Sequence, residues 1–306
     1  VLPLLGGGYL LTGLYQRRED IDPVVVKLLD DGSLDINYGN AGILKLNQYI
    51  AVPEDLKISN AIAQDDGSIL IAVLRDNTEG SIIRLNDDGS LDNSFDYSFN
   101  PSGIVLDYDI PLEFHIQRDG KLLVETVDGL VRLNVDSSTD FTFNGGVALN
   151  VSNPNAEYVK AVDEEAEDVD PINFQVLKIH QQVNGKILIA SRSNYGDYTS
   201  LHLRRYLSDG QLDISYGNDG LSRLTLSNFT GNPGTDSDEM GDDVHFIGAV
   251  VTANEDVVFT ASSIYSFSTG EAGALIRFNT GSTDIDGDGY SNNDEISNGT
   301  DPADSN

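Results

Sequence analysis

The sequence predicts an all-β fold of the β-propeller class, with about five four-stranded antiparallel blades formed by repeats of one segment. Three observations lead to this prediction. A motif with constant internal spacing recurs four times in the 306 residues. Short apolar segments joined by Asp-Gly or similar turns alternate with the motif, and long helical periodicity is absent. Four short strands per repeat, at a period of roughly 40–60 residues, are typical of a propeller.

The recurring motif contains a basic residue, a short apolar segment, a turn, an Asp eight residues after the basic residue, and an aromatic residue three positions later. It reads KLLDDGSLDINYG, RLNDDGSLDNSFD, RLNVDSSTDFTFN and RYLSDGQLDISYG. The basic residues are Lys27, Arg84, Arg132 and Arg205, the acids are Asp35, Asp92, Asp140 and Asp213, and the aromatics are Tyr38, Phe95, Phe143 and Tyr216. Positions repeated in every blade usually serve packing, so we expect structural ion pairs and buried aromatic wedges between blades.

A second block lies between the motif copies and consists of two strand-like segments around a tight turn. It reads NAIAQDDGSILIAVL around Gly67, EFHIQRDGKLLVET around Gly120 and KIHQQVNGKILIAS around Gly185, with a weaker copy around Glu255. Asp-Gly and Asn-Gly pairs accept the positive φ of hairpin turns, and the flanking Ile, Val and Leu favour strands. The pattern predicts three strands in the first unit, which lacks its opening strand, four in each of the next three, and three in the last.

Because the two ends of the chain together do not supply a whole blade, we expect an imperfectly closed arc with further repeats before Val1. Propellers normally close by completing one blade from both termini, which protects strand edges. An open arc exposes such edges, so we expect the isolated chain to aggregate or dimerise.

Charge and composition exclude several classes of function. The chain has 18 Lys+Arg against 50 Asp+Glu, for a formal net charge of −32. A surface this acidic repels phosphate backbones, so we expect no nucleic-acid partner. The absence of Cys excludes disulfides, thiol nucleophiles and iron–sulfur clusters. No apolar run approaches the roughly 18 residues of a membrane span, so we expect no membrane insertion of this segment.

The two blocks together resemble the delta-60 repeat family of bacterial β-propellers over roughly residues 4 to 280. The most specific parts are RLNDDGSLDNSF and RDGKLLVET, whereas Ser137-Ser138-Thr139 interrupts the Asp-Gly-Ser-Leu pattern and Asn254-Glu255 replaces Asp-Gly. The resemblance implies an extracellular or cell-surface bacterial protein and implies no catalytic residues. We therefore assign residues 1–281 to the propeller and expect no enzymatic activity.

The segment DIDGDGYSNNDE, residues 284–295, carries the ligand spacing of a twelve-residue calcium loop. Ca²⁺ takes six to eight oxygen ligands, and the turn-forming Gly289 stands where such a loop bends. The predicted ligands are the side chains of Asp284, Asp286, Asp288, Asn292 and Glu295, together with the backbone carbonyl of Tyr290. The alternative is an ordinary solvated acidic tail. We favour Ca²⁺ as a bound partner because Gly289 and Glu295 both fall where the loop requires them.

This segment is also similar to bacterial calcium loops related to thrombospondin type 3 repeats, since Gly299-Thr300-Asp301-Pro302 matches their trailing signature. It departs from a paired EF-hand because strand-like Ile276-Arg277-Phe278 precedes it and polar Ser291 occupies position eight. We therefore assign residues 282–306 to a stand-alone or tandem structural calcium loop.

The remaining candidate residues leave the function open. His115 and His180 share a repeat position that holds Ile62 and Val250 elsewhere, so we expect packed structural histidines, while His202 and His245 have no partner spacing. Three functions remain. The first is a secreted or cell-surface calcium-binding propeller that binds an extracellular protein or a glycan. The second is a channel enzyme, such as an extracellular glycan-active hydrolase or lyase, and the third is a structural spacer of a larger adhesin.

Overall fold

A computed structural model describes residues 1–4, 6–17, 20–49, 57–75, 79–99, 113–126, 128–151, 173–195, 198–227, 244–263 and 273–278. In this part of the chain, 18 strands form five antiparallel sheets in which consecutive strands are neighbours. The first sheet contains β1 (Leu2–Pro3), β2 (Tyr9–Arg17), β3 (Asp20–Leu28) and β4 (Ile43–Lys45), and the second contains β5 (Lys57–Ala63), β6 (Ile69–Arg75), β7 (Glu79–Leu85) and β8 (Leu91–Phe99). The predicted all-β class is confirmed.

The other three sheets follow in chain order. The third contains β9 (Phe114–Ile116), β10 (Leu122–Thr126) and β11 (Gly129–Leu133). The fourth contains β12 (Asn173–Gln181), β13 (Ile187–Tyr195), β14 (Tyr198–Tyr206) and β15 (Leu221–Ser227), and the fifth contains β16 (Val244–Val251), β17 (Val257–Ser263) and β18 (Gly273–Phe278). Two short 3₁₀ turns, Leu46–Gln48 and Asn144–Gly146, complete the described elements.

The distribution of strands corrects the prediction for the first unit. The first sheet has four strands rather than three, because Leu2 and Pro3 pair with Leu10 and Tyr9. A strand of two residues before a run of glycines is too short to show a periodicity, which is why the sequence pattern missed it. The third sheet has three strands rather than four within the described residues, and beyond β11 its ladder continues only as the isolated bridge between Leu133 and Thr139.

The turns adopt the left-handed backbone that the Asp-Gly signals predict. Gly67, Gly120 and Gly185 have φ values of 86°, 80° and 80°, a region that glycine enters without a steric penalty. At two of the repeat turns a residue with a side chain stands in the glycine position and adopts positive φ as well: Ser137 with φ 67° and Glu255 with φ 59°. These are the two places where the sequence departs from the repeat pattern, so the fold keeps the turn although the glycine is replaced.

The predicted ion pair forms in all four motif copies. Lys27 Nζ lies 3.6 Å from Asp35, and the Nε atoms of Arg84, Arg132 and Arg205 lie 2.7 Å from Asp92, Asp140 and Asp213. Lysines at the hairpin turns reinforce two of these pairs: Lys121 lies 2.8 Å from Asp140 and Lys186 lies 3.1 Å from Asp213. The repeated charges are therefore part of the scaffold.

A fifth, decayed copy of the motif begins at Arg277 as RFNTGSTD, and its arginine forms an ion pair with a different acid. Arg277 Nε donates to Asp256 Oδ2 at 2.8 Å. Asp256 occupies the repeat position of Lys121 and Lys186, directly after the turn residue. The acid has moved to the neighbouring hairpin, and the pairing with the motif arginine is retained.

The four motif aromatics are buried, as predicted. Tyr38, Phe95, Phe143 and Tyr216 expose 0%, 3%, 1% and 5% of their surface. Guanidinium groups of the same repeats cover two of the rings, Arg84 at 5.0 Å from the centroid of Phe95 and Arg205 at 4.6 Å from that of Tyr216.

The aromatics also explain why the motif turn of the following repeat needs glycine. A Cβ on Gly89 would lie 3.1 Å from Tyr38, and one on Gly210 would lie 3.0 Å from Phe143. Each ring therefore packs directly against the turn of the next repeat. This contact is the predicted wedge between repeats.

Hydrogen bonds connect the same turns. The residue after the aromatic donates its backbone N–H to the next turn, from Gly39 to the carbonyl of Asp88 at 2.9 Å and from Asn144 to that of Asp209 at 2.8 Å. In the third repeat the turn residue is Ser137, and its hydroxyl donates to the carbonyl of Asp96 at 3.0 Å. The serine thus retains the connection between repeats through its side chain.

The chain divides into two compact units. The first comprises Val1–Ile104, Phe114–Phe141 and Gly145–Ala148, and the second comprises Val105–Glu113, Thr142–Asn144 and Leu149–Asn306. Each unit has its own apolar core. The core of the first includes Leu10, Val25, Tyr38, Ile71, Val73 and Leu85, and that of the second includes Leu177, Leu188, Leu203, Tyr216, Val257 and Phe259.

Candidate functional site

Polar side chains from successive repeats meet along β12, the first strand of the fourth sheet, and at the turn that follows it. Within the first unit β5 contacts β9, and within the second unit β12 contacts β16. Five polar residues of the second unit lie on or beside these strands, and we call them the inner-strand cluster: Glu113, Lys178, His180, Gln182 and Glu255. None of the motif ion pairs described above includes any of them.

Lys178 and Glu113 form the first part of this cluster. Both stand seven residues before a turn glycine, where the other repeats have Asn60 and Gly248. The ammonium of Lys178 lies 3.1 Å from Glu113 Oε2, with side-chain exposures of 35% and 8%. Burial raises the pKa of Glu113 above its ordinary value, and the nearby charge of Lys178 opposes that shift. The carboxyl group of Glu113 is therefore buried, whereas the ammonium group of Lys178 that contacts it is partly exposed to solvent.

Glu255 forms the second part and occupies a position that is glycine in the other hairpin turns. It is buried to 5% exposure and has φ 59°, a conformation that costs a residue with a side chain on the order of 1 kcal/mol. Its carboxylate accepts the backbone N–H of Val183 at 2.6 Å and Nε2 of Gln182 at 3.0 Å. His180 Nε2 lies 3.6 Å from the same carboxylate.

The cluster combines buried acceptors with accessible donors. Lys178 and His180 are two residues apart on β12, and their side chains are 35% and 26% exposed. Gln182 is fully buried, and its Oε1 has no hydrogen-bond partner in the described part of the chain. Since buried polar atoms are nearly always paired, this oxygen is suited to accept a hydrogen bond from a buried water molecule. The accessible part of the cluster can donate hydrogen bonds to a ligand from the ammonium of Lys178.

A second polar group lies on the fourth sheet, away from any predicted site. His202 is 3% exposed, and its Nε2 lies 2.9 Å from Ser193 Oγ. Burial lowers the pKa of His202 to about 4, with further contributions from Arg204 and Arg223. A neutral imidazole held by a hydroxyl resembles part of a hydrolytic triad, but the other ring nitrogen of His202, Nδ1, has no hydrogen-bond partner among the described residues.

The predicted calcium ligands lie outside the described residues. This holds for Asp284, Asp286, Asp288, Tyr290, Asn292 and Glu295, so the loop stays a prediction from its spacing. Within the described ranges, no group of three or more His, Asp or Glu side chains is arranged to hold a metal ion.

The two histidines that share a repeat position differ in their surroundings. His115 is half-buried, as expected for a strand position in contact with neighbours. His180 is not a simple packing residue, because it lies beside the buried carboxylate of Glu255. The signal for this contact was present in the sequence: Glu255 replaces the turn glycine of the next repeat. The pairing of Ser193 with His202 had no such signal, since it depends on the register of β13 and β14.

Comparisons with known proteins support the β-propeller fold but do not identify a function. Residues 64–95 and 182–216 match the model of a β-propeller family described as a domain of unknown function, DUF5122. Both stretches include a second block and the motif that follows it, so the match supports the predicted β-propeller fold. No curated protein matches the chain. Among the described residues, no helix has the length and apolar character needed to cross a bilayer.

Two solved structures show a distant likeness. The Nup133 β-propeller domain of Vanderwaltozyma polyspora has 14% sequence identity and a TM-score of 0.41, with 89% of this chain and 74% of that chain covered. A GH43 glycoside hydrolase, engineered to display endo-xylanase and exo-arabinofuranosidase activity, has 11% identity and a TM-score of 0.26, with coverage of 88% and 65%. The chain thus spans just under two thirds of that hydrolase, and neither likeness supports a statement about function.

Proposed function

We propose that this protein is a secreted or cell-surface β-propeller that binds a neutral glycan at the inner-strand cluster and Ca²⁺ at its C-terminal loop. The observation that carries the binding role is the set of charged and polar side chains on the first strands, which the repeat does not require. Residues that a scaffold does not need, and that remain partly accessible beside buried carboxylates, are candidates for ligand contacts.

The charges of the cluster favour a neutral, hydroxyl-rich ligand. Lys178 is already compensated by Glu113 at 3.1 Å, so an anionic ligand gains little from it. The net charge of −32 repels polyanions over longer distances. Sugar hydroxyl groups accept hydrogen bonds, which matches the partly exposed ammonium of Lys178 beside the side chain of His180. A glycan therefore fits the cluster better than a charged polymer.

A glycan array followed by calorimetry tests this role. The intact chain should bind a defined subset of neutral glycans, and Lys178→Met should weaken that binding at least tenfold while the far-UV circular dichroism spectrum stays unchanged. If the chain binds no neutral glycan at millimolar concentration, or if Lys178→Met binds equally well, the proposal is wrong.

Calcium binding is proposed from the ligand spacing of residues 284–295. A single loop without a packed partner is expected to bind weakly, with a dissociation constant on the order of 10⁻⁴ M. Calorimetry on the intact chain should show one saturable site that Glu295→Gln removes, because this substitution deletes the bidentate ligand. Asp304→Asn is the matched control, since it removes a charge of the same tail outside the loop. Equal losses in both variants would indicate non-specific attraction by the acidic surface and contradict the site.

One observation favours a second function, a channel hydrolase or lyase that acts on the bound glycan. Burial raises the pKa of Glu113, which is a property of general acids. If the protein is such an enzyme, incubation with its glycan should release reducing ends, and Glu113→Gln should stop the release without loss of binding. If no product forms, the binding role remains. If no glycan binds, the role of a structural spacer in a larger adhesin is favoured.

A further inference from the structure

The residue that follows the motif Asp exposes a large apolar side chain in three of the four repeats. Ile36, Phe141 and Ile214 are 74%, 75% and 72% exposed. The second repeat has Asn93 at this position, which is also exposed. Burial of such side chains is favourable, so the scaffold gains nothing from exposing them. Recurrence at one repeat position also separates them from the scattered apolar residues of an ordinary surface.

In the first unit these side chains share one edge with the motif turns. We call residues 29–36, 86–93 and 134–141 the turn rim. Hydrogen bonds join the first repeat to the second of these turns, from Gly39 and Lys27, and the second repeat to the third turn. The three turns therefore follow one another, with Ile36 in the first and Phe141 at the end of the third.

The turn rim is also strongly acidic. Its three segments contain eight Asp residues and no Lys or Arg. Four of these acids, Asp35, Asp87, Asp92 and Asp140, pair with basic residues outside the segments, whereas Asp31, Asp88 and Asp136 belong to none of these pairs. Asp31, Asp88 and Asp136 are exposed, and each accepts a hydrogen bond of 2.6 Å from the hydroxyl of the serine two residues later. These hydroxyls, followed by the backbone N–H groups of the same serines, lower the pKa of the three carboxyls. The rim therefore presents fixed negative charges beside exposed apolar groups.

We infer that the turn rim docks a basic amphipathic segment of another protein, with Lys or Arg against the carboxylates and apolar side chains against Ile36 and Phe141. Charge complementarity selects this partner. A second copy of the chain would bring two charges of −32 together, and anionic surfaces are repelled in the same way. This interface does not use the inner-strand cluster, so it is independent of glycan binding.

A synthetic peptide tests the interface. The probe is a fluorescein-labelled 20-residue helix of Lys and Leu, about 30 Å long, and its partner probe replaces every Leu by Ser at the same charge. By fluorescence anisotropy, the Lys/Leu peptide should bind the intact chain at least tenfold more tightly than the Lys/Ser peptide. Its affinity should fall as salt is raised, because the contacts include exposed charges.

Substitutions locate the contact. Ile36→Ser combined with Phe141→Ser should weaken binding of the Lys/Leu peptide at least tenfold, and both sites are exposed enough for the fold to persist. The matched control combines Val250→Ser with Leu275→Ser, which removes apolar side chains of 54% and 75% exposure from the fifth sheet. The interface is wrong if the peptide does not bind, if both probes bind equally, or if the rim variant binds as well as the control.

Discussion

The positions that every repeat shares and the positions that break the repeat behave differently in this molecule. Lys186 follows a turn glycine, as Lys121 does in the repeat before, and it reinforces a motif ion pair at 3.1 Å from Asp213. Lys178 lies eight residues earlier, at a position where other repeats have unrelated residues, and it contacts the inner-strand Glu113 instead. The first kind of position builds the scaffold, because the same contact recurs wherever the residue recurs. The second kind is released from that constraint and is available for a ligand.

The departures from the repeat extend this comparison. Ser137 replaces a glycine, keeps φ 67° and remakes the connection to the previous repeat with its hydroxyl. Glu255 also replaces a glycine at positive φ, but its carboxylate binds side chains and backbone of β12 and its following turn. One replacement restores a scaffold contact, whereas the other creates a polar cluster that no other described hairpin has.

The largest predicted difference in stability is between alanine substitutions of two phenylalanines that are two residues apart in the sequence. Phe143 is 1% exposed and packs on Gly210, whereas Phe141 is 75% exposed. Phe143→Ala should lower the free energy of unfolding by about 3–5 kcal/mol, because it empties a packed site. Phe141→Ala should change it by less than about 0.5 kcal/mol. Urea unfolding measures both, and equal losses would show that the repeat alignment of the aromatics is wrong.

A smaller difference in the loss of unfolding free energy is expected between substitutions in two copies of the motif ion pair. Asp140 is 4% exposed and holds Arg132 and Lys121, so Asp140→Ala should cost about 3 kcal/mol by removing the carboxylate that pairs with the buried guanidinium of Arg132. Asp35 and Lys27 are 3.6 Å apart with side chains 14–15% exposed, and Asp35→Ala should cost about 1 kcal/mol. The same unfolding experiment compares them. A larger loss of unfolding free energy in Asp35→Ala than in Asp140→Ala would contradict the deeper burial of the ion pair in the third repeat.

The pH dependence of stability should identify His202, which belongs to the repeat-breaking positions. Its pKa falls from 6.5 to about 4 in the folded chain, mainly through burial. A base with a lowered folded-state pKa contributes stability above its unfolded value, and this contribution is lost as the pH falls. Between pH 6.5 and 4 the unfolding free energy should decrease by on the order of 2 kcal/mol. His202→Gln, which retains a partner for Ser193, should flatten this decrease; an unchanged slope would exclude His202 as its source.

The smallest predicted effect concerns the strained turn at Glu255. Glu255→Ala and Glu255→Gly both remove the bonds to Val183 and Gln182, but only glycine adopts φ 59° without strain. The glycine variant should therefore be more stable than the alanine variant by about 1 kcal/mol. Thermal or urea unfolding of the pair is sufficient, and equal stabilities would mean that the backbone relaxes when the carboxylate is lost.

Local patterns predicted the scaffold well and the cluster poorly, for a physical reason. The motif ion pairs join residues eight positions apart, and the aromatics pack on the next turn, so a repeat with constant spacing already contains the information. The contacts of Glu255 with Gln182 and of Lys178 with Glu113 span 73 and 65 residues. Such contacts depend on which strands become neighbours, and the pairing of Ser193 with His202 depends on strand register. Neither can be read from spacing within one repeat.

Lys178 and Lys186 allow the most direct test of whether repeated positions stabilise the scaffold and repeat-breaking positions bind the ligand. Glycan binding and urea unfolding should be measured on the intact chain, on Lys178→Met and on Lys186→Met. We predict that Lys178→Met loses at least tenfold in glycan affinity and that Lys186→Met binds the glycan normally, while both variants lose stability because each leaves a buried carboxyl with one cation fewer. If Lys186→Met loses the glycan affinity while Lys178→Met retains it, the assignment of repeated positions to the scaffold and of repeat-breaking positions to the ligand is contradicted.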